Sequence, residues 1–229
     1  MSSGPPFIIN DFLRTCSVCT ARLEKVHELT SLLERLSAAN KVTNLTRITS
    51  AEDFWCKHIA DSLSIGCVAP DIMTASYKVA DVGCGAGFPL IPLAWANPRL
   101  RMTGIEPRQR KASFIDEIIR ELGLQNCSVI RRQVREVGNK AGFTAEFDII
   151  TARAVMDAAR LIKESRRLLS NRVNSRFILY KTPDQVRSER RDLERTARKY
   201  GFGIHYSEVF ELPLHKGARQ FIIAERCQT

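Results

Sequence analysis

Residues 80–89, ADVGCGAGFP, place three glycines (Gly83, Gly85 and Gly87) within five positions, directly behind the apolar run 78–82. The pattern predicts a strand that runs into a bare loop and then a helix. Glycine costs backbone entropy, but it permits positive φ and lets another molecule approach the main chain closely. A glycine loop at the carboxyl end of a first strand lies where doubly wound sheets take their ligands.

Beyond this loop, short apolar segments alternate with helical ones. Strands are expected at 78–82, 101–106, 127–131, 147–152, 177–181, 203–210 and 220–224, and helices at 89–97, 109–123, 155–169 and 183–200. In the second of these helices Ile115, Ile118, Ile119 and Leu122 fall on one face, and Gly123 suits the residue just past its end. Such alternation means a mostly parallel sheet covered by helices on both faces. No helix separates the last two strands, which predicts a hairpin through 212–217. A parallel sheet closed by an antiparallel hairpin is familiar from methyltransferases that use S-adenosylmethionine, whereas open dinucleotide-binding folds usually continue in parallel.

Upstream, residues 11–37 read as helix, with Leu29, Leu32, Leu33 and Leu36 on one face. A second helix is expected over 51–65, with Ser50 as its N-cap and Glu52 and Asp53 near the positive end of its dipole. Residues 43–49 link the two. The expected architecture is therefore α/β: a helical extension, residues 1–70, packed on a Rossmann-like domain, residues 71–229, as one structural unit.

Composition limits the partners. A chain of 229 residues with 44% hydrophobic and 26% charged residues is ordinary for a globular protein. It holds no run of about 18 apolar residues that could span a membrane. The first residues, MSSGPPFIINDFLRTC, lack a secretory signal pattern, so a cytoplasmic protein is expected. The seven cysteines are odd in number and scattered, which predicts reduced thiols rather than a disulfide framework. Cys16 and Cys19 form a lone C-x-x-C without the second pair that a zinc site needs, and read as a helical turn; no metal is expected. A formal net charge of +10 favours a polyanionic partner.

Spacing discriminates between the nucleotide-like ligands. A dinucleotide fingerprint that begins at Gly83 needs glycine at position 88, where Phe88 stands. The pattern Asp81-Val82-Gly83-Cys84-Gly85-Ala86-Gly87 instead resembles the first motif of class I S-adenosylmethionine-dependent methyltransferases. In that motif glycine amides surround the cofactor and the acid faces its cationic amino end. Glu106 ends the second strand 19 residues after Gly87, close to the offset of a carboxylate that accepts hydrogen bonds from ribose hydroxyls. Absences narrow the acceptor. After the fourth strand the chain reads Thr151-Ala152-Arg153-Ala154-Val155, not the Asn/Asp-Pro-Pro-aromatic segment of exocyclic amine methylation, and no Pro-Cys dipeptide supplies a nucleophile for pyrimidine carbon chemistry. What remains includes ring nitrogens with a free lone pair, which need no general base.

Four segments then carry a narrower resemblance: Asn44-Leu45-Thr46, His58-Ile59-Ala60-Asp61-Ser62-Leu63, 81–89, and Thr151-Ala152-Arg153-Ala154. In order and spacing they resemble the bacterial small-subunit ribosomal RNA guanine-N7 methyltransferases, the glucose-inhibited division protein B family. The resemblance runs from about Leu36 to the C-terminus. It implies S-adenosylmethionine as cofactor, no metal, and N7 of one guanosine in 16S ribosomal RNA, naked or in the small-subunit particle, as acceptor; a monomer is expected. It further implies that Gly83 and Gly85 contact the cofactor through their amides, that Phe88 covers it, and that Glu106 holds the ribose. Val134 and Arg135 match the segment that meets the adenine, although Gln133-Val134-Arg135 stands where the family has Arg-Val-Glu. Arg153 matches an arginine near the methionine end, and Asn44 and His58 join it in the catalytic set.

Among the basic residues, the run 187–199 also carries Glu189, Asp192 and Glu194, so intrahelical pairing explains much of it. Arg110 and Lys111, at the start of the helix after Glu106, are better RNA candidates, and Lys181 and Arg219 occupy strand positions the family uses near its active face. Two other readings stay open: a basic RNA-binding protein that keeps the fold without turnover, and a small-molecule methyltransferase. Cofactor binding separates the first from an enzyme.

Overall fold

The central apolar segments pair as strands because they can bury both faces only inside a helix-covered sheet. The computed structural model describes residues 7–43, 50–140 and 142–227. Eight strands form its sheet: β1 (Lys78–Val82), β2 (Arg101–Ile105), β3 (Cys127–Ile130), β4 (Ile149–Arg153), β5 (Arg176–Lys181), β6 (Phe202–Tyr206), β7 (Phe210–Glu211) and β8 (Ala218–Arg226). The order is β3-β2-β1-β4-β5-β8-β6, with β7 paired to β8. The first five strands of that order are parallel, and β8 lies antiparallel to both β5 and β6. The expected hairpin is present: β7 turns back into β8, and the Leu212 N–H donates to the Gly217 carbonyl at 2.9 Å.

Alternation along β1 divides the core. Val79 joins a cluster with the N-terminal helices, the helix Leu90–Ala96 and the inner face of the helix Gln109–Glu121. Ala80 and Val82 join a second cluster with the helices Ala158–Ser165 and Pro183–Tyr200. The last of these is closed at both ends, by a Thr182–Gln185 capping box and by Gly201 at φ 72°.

The N-terminal segment departs from the expected pair of continuous helices. Residues 11–37 are divided among the helix Phe7–Thr15, a turn of helix Thr20–Leu23, a 3₁₀ turn Val26–Leu29 and the helix Thr30–Thr43. The break falls at the C-x-x-C, where Ser17 takes φ 59°, so that stretch is not a helical turn. It lets Cys16 and Leu29 both enter the core. The second helix starts where expected, with the Ser50 hydroxyl accepting from the Asp53 N–H at 3.1 Å. It then widens into a π-helical stretch over Phe54–Ala60 before Asp61–Leu63 and a 3₁₀ turn Ser64–Cys67. Single π turns inside helices recur at functional sites, because the extra residue re-aims the side chains that follow.

The helix expected over 155–169 begins only at Ala158, where the Asp157 carboxylate caps it by accepting from the Arg160 N–H at 2.8 Å. Residues 154–157 form a loop instead, with Ala154 at φ 55°.

Tight backbone contact fixes the helical segment. A Cβ on Gly66 would stand 1.9 Å from the Cys16 carbonyl oxygen. Gly66→Ala is therefore expected to destabilise the fold by about 1–3 kcal/mol, as overpacking does; a lower denaturant midpoint at unchanged slope is the measurement that checks it.

Candidate active site

The cleft forms where β1 lies between β2 and β4, so that successive crossovers leave in opposite directions and expose the strand ends. It encloses about 330 Å³, within the range of sites for small ligands. Its walls come from the glycine loop, from Glu106 to Arg108 and Lys111 after β2, from Arg153 to Val155 after β4, and from His58 of the helical segment.

The glycines have different reasons. Gly83, at φ 68°, packs so closely under Val155 that a Cβ would stand 2.4 Å from a Val155 methyl. Gly85, at φ 60°, would direct a Cβ into space whose nearest atoms are the Gly83 carbonyl at 3.8 Å and the Lys111 ammonium at 4.0 Å. It leaves a gap into which a ligand can descend onto the main chain. Glu106 braces this loop: its carboxylate accepts from the Gly85 N–H at 3.1 Å and from the Arg108 N–H at 2.9 Å.

Asp81 is fully buried beneath the loop, where one carboxylate oxygen accepts from the Thr151 hydroxyl at 3.1 Å. The other oxygen, Oδ2, makes no hydrogen bond of ordinary geometry, although the Leu90 N–H is near enough to the carboxylate to favour its charged form. Burial raises its pKa to about 7, against the opposing pull of the Thr151 hydrogen bond and the Arg153 charge. A buried carboxyl with an orphaned oxygen, beneath a glycine loop with room above it, fits a ligand that brings a cationic group, as the amino end of S-adenosylmethionine does.

The opposite wall is a stack. The His58 imidazole lies on the Phe88 ring, centroids 4.1 Å apart and 3° from parallel. The Arg153 guanidinium lies 5.6 Å from the centroid of Phe88. Arg153 donates to the Lys57 carbonyl at 2.8 Å and to Asp61 at 3.0 Å, and lies 3.3 Å from His58 Nδ1. Having no acceptor atom, Arg153 must be the donor in that last contact, so His58 carries its proton on Nε2. Burial first, then the Arg153 charge, lowers the His58 pKa to about 3, and the ring is neutral.

Asp61 holds the arrangement together. It is buried, and besides Arg153 it accepts from Arg219 Nε at 2.7 Å and Nη2 at 2.9 Å. The carboxylate thus comes from the helical segment, and its two guanidinium partners from the end of β4 and from β8.

The structure brings Gly83, Gly85, Phe88, Glu106, Lys111, Arg153 and His58 to one cleft, with Asp81 beneath it. Other residues fall elsewhere, and Asn44 lies outside the described residues. Val134 turns into the core, while Arg135 faces a separate basic groove with Lys163, Arg166 and Arg167; neither side chain lines the cleft, because the short helix Val134–Val137 points its two valines inward. Two residues expected on the RNA face are instead held in ion pairs. Lys181 is buried, 2.7 Å from Glu189, and also donates to the Met156 carbonyl, while Arg219 is committed to Asp61. Arg110 is exposed, one residue before Lys111 on the cleft edge. Sequence reading gave Asp61 no role, although its place three residues after His58 was the available signal. It also overlooked Val155, whose position depends on the Ala154 turn.

Sheet order and site together define a class I S-adenosylmethionine-dependent methyltransferase. The fold is shared with an S-adenosylmethionine-dependent O-methyltransferase from Thermotoga maritima, at TM-score 0.58 and 17% identity over 83% of this chain and 72% of that one. Residues 25–208 match the family model of the rRNA small subunit methyltransferase G, and the chain belongs to that family. Among its relatives are proteins named ribosomal RNA small subunit methyltransferase G. One from Trichormus variabilis is 32% identical, covering 87% of this chain and 79% of that protein. One from Lactobacillus delbrueckii subsp. bulgaricus is 26% identical, covering 95% and 90%.

Removing the Asp61 charge would leave two largely buried guanidinium groups facing a neutral amide. Asp61→Asn is expected to cost about 3–5 kcal/mol of stability, the range for breaking a buried ion pair from one side. Adding Arg219→Gln should cost less than the sum of the single changes, and a double-mutant cycle by denaturant unfolding reads that coupling.

Proposed function

We propose that the enzyme transfers the methyl group of S-adenosylmethionine to N7 of one guanosine in 16S ribosomal RNA, presented as free RNA or in the small-subunit particle. It acts as a monomer in the cytoplasm. Family membership supports the RNA substrate, and one observation carries the choice of acceptor atom. Among the described residues, no group at the cleft is placed as an effective general base. His58 is a very weak base beside Arg153, Glu106 accepts two backbone N–H bonds, and Asp81, buried beneath the glycine loop, is engaged by the ammonium end of the cofactor. A guanine N7 brings its own lone pair and loses no proton on methylation, so it needs no such base.

When bound, the cofactor supplies an electrophilic methyl group on a sulfonium. The chain's residues hold and aim the reactants. The amides of Gly83 and Gly85 meet the cofactor, Asp81 Oδ2 takes its ammonium end, and Glu106 accepts from its ribose hydroxyls. Val134 and Arg135 contribute main chain near the adenine. Phe88, stacked on His58, covers the site on the acceptor side, and the family resemblance assigns Asn44 to the catalytic set with His58 and Arg153. Arg153 holds an anion at the methionine end or an RNA phosphate. Arg110 and Lys111 draw the RNA backbone to the cleft edge. Rate enhancement then rests on in-line approach and fixed charge.

The acceptor atom is tested by chemistry on the product. After reaction with 16S ribosomal RNA, borohydride and aniline should cut the strand at a single guanosine; methyl transfer without any scission at guanosine sinks the N7 reading. Arg153→Ala should lower kcat/KM about tenfold or more, or roughly 1.4 kcal/mol of transition-state stabilisation.

The Asp81 pKa gives a pH dependence with a definite sign. Only the ionised carboxylate attracts the ammonium, and in the free enzyme it ionises near pH 7. Cofactor affinity should level off above that pH and fall by up to about tenfold per unit below it, with proton release on binding at low pH. For the free protein the sign is opposite. A raised carboxyl pKa lowers stability as pH climbs from the ordinary carboxylate range towards 7, so Asp81→Asn should stabilise the free fold at pH 8 while weakening cofactor binding. Calorimetry at about pH 5.5 and 8 checks both; equal affinities would remove Asp81 from the ammonium site.

A further inference from the structure

On the far side of the helical segment lies a second pair of reactive groups. Cys16 Sγ and Cys67 Sγ are 2.9 Å apart although the residues are 51 apart in sequence. Main-chain packing holds them there, since the backbone at Cys16 rests directly on Gly66, where no side chain could be accommodated. The two thiols differ in surroundings. Cys16 is fully buried, whereas Cys67 is exposed at the edge of an apolar groove lined by Phe12, Val68, Phe210 and Ile223.

We propose that this pair is a reversible oxidation site at which a hydroperoxide converts two thiols into a Cys16–Cys67 disulfide. Cys67 attacks as the thiolate. A sulfur–oxygen bond forms, the peroxide O–O bond breaks, and the departing oxygen takes a proton to leave as water or alcohol. Cys16 then gives up its proton and attacks the oxidised sulfur; the S–S bond forms, the S–O bond breaks, and water leaves. The two sulfurs together lose two electrons, and the peroxide gains them. A reduced dithiol reverses the change by exchange.

Three features support this order of events. Solvent reaches Cys67 and not Cys16, so the first encounter falls on Cys67. The Cys16 contact lowers the Cys67 pKa, while that contact and burial raise that of Cys16, which fits an attacking thiolate beside a resolving thiol. A new S–S bond of ordinary length needs a further approach of the two sulfurs from 2.9 Å. Reversible cysteine pairs of this kind suit a reducing compartment, where permanent disulfides are rare. The bond would join the helix Phe7–Thr15 to the end of the segment that carries His58 and Asp61. Oxidant exposure would thereby stiffen the wall of the active site from behind.

The experiment uses the full reduced chain and hydrogen peroxide at stoichiometric amounts. Intact mass should fall by two hydrogens, and digestion without reductant should yield one cross-linked peptide pair containing Cys16 and Cys67. Dithiothreitol should restore the original mass, and the oxidised protein should melt at a higher temperature than the reduced one. Cys67→Ser should abolish the cross-link. Cys16→Ser should halt the reaction at a Cys67 sulfenic acid that dimedone traps. Cys19→Ser and Cys227→Ser, at two other exposed thiols, should change nothing. Oxygen addition without hydrogen loss in the unmutated chain, or cross-links distributed among Cys19, Cys67 and Cys227, would overturn the proposal.

Discussion

The buried Asp61 carboxylate is the constraint on which the site depends. It draws Arg153 from the end of a parallel strand and Arg219 from the antiparallel end of the sheet onto one helical segment. A carboxylate removed from water is tolerable only when its lone pairs are used, and here two guanidinium groups use them. The same contact sets the direction of Arg153. Arg153 in turn fixes the tautomer of His58, and His58 stacks on Phe88 at the mouth of the cleft. A geometry that faces substrate is thus determined by an ion pair that lies behind it.

The two walls of the cleft are prepared differently. The Arg153 wall is electrostatically satisfied before any ligand arrives, with each cation matched to a carbonyl, a carboxylate or a ring face. The floor is not: Asp81 keeps one oxygen orphaned in the sheet interior, which destabilises the free fold whenever the group is ionised. Natural proteins tolerate such an arrangement where a ligand completes it. The glycine loop has the same character, since Gly85 holds open a space that a side chain would fill.

Much of the Rossmann-like half was legible because local signals there agree with one another. Six of the seven apolar segments became single strands of the sheet with bounds shifted by a few residues, 203–210 divided into β6 and β7, and the C-terminal hairpin turned where its lack of a helix required. The pattern failed where tertiary contact overrode local periodicity. Residues 11–37 have helical spacing throughout, yet the chain breaks at Ser17 so that Cys16 can reach the core beside Gly66. Residues 155–157 belong to a helical pattern, but the turn at Ala154 takes them into the cleft wall and delays the helix to the Asp157 cap.

The charged residues mark the boundary most clearly. Sequence alone determined that a glycine loop would follow the first strand, that an acid would end the second, and that cations would outnumber acids, because strand ends and net charge are properties of local order and composition. Only the tertiary structure decided what each cation does. Lys181 and Arg219 stand on strands as expected, but Glu189 on the helix that follows and Asp61 on a helical segment far away in sequence approach and neutralise them, while Lys111 is left at the cleft. An ion pair depends on distance through space, and that distance is set by how helices pack on the sheet, which no periodicity along the chain encodes.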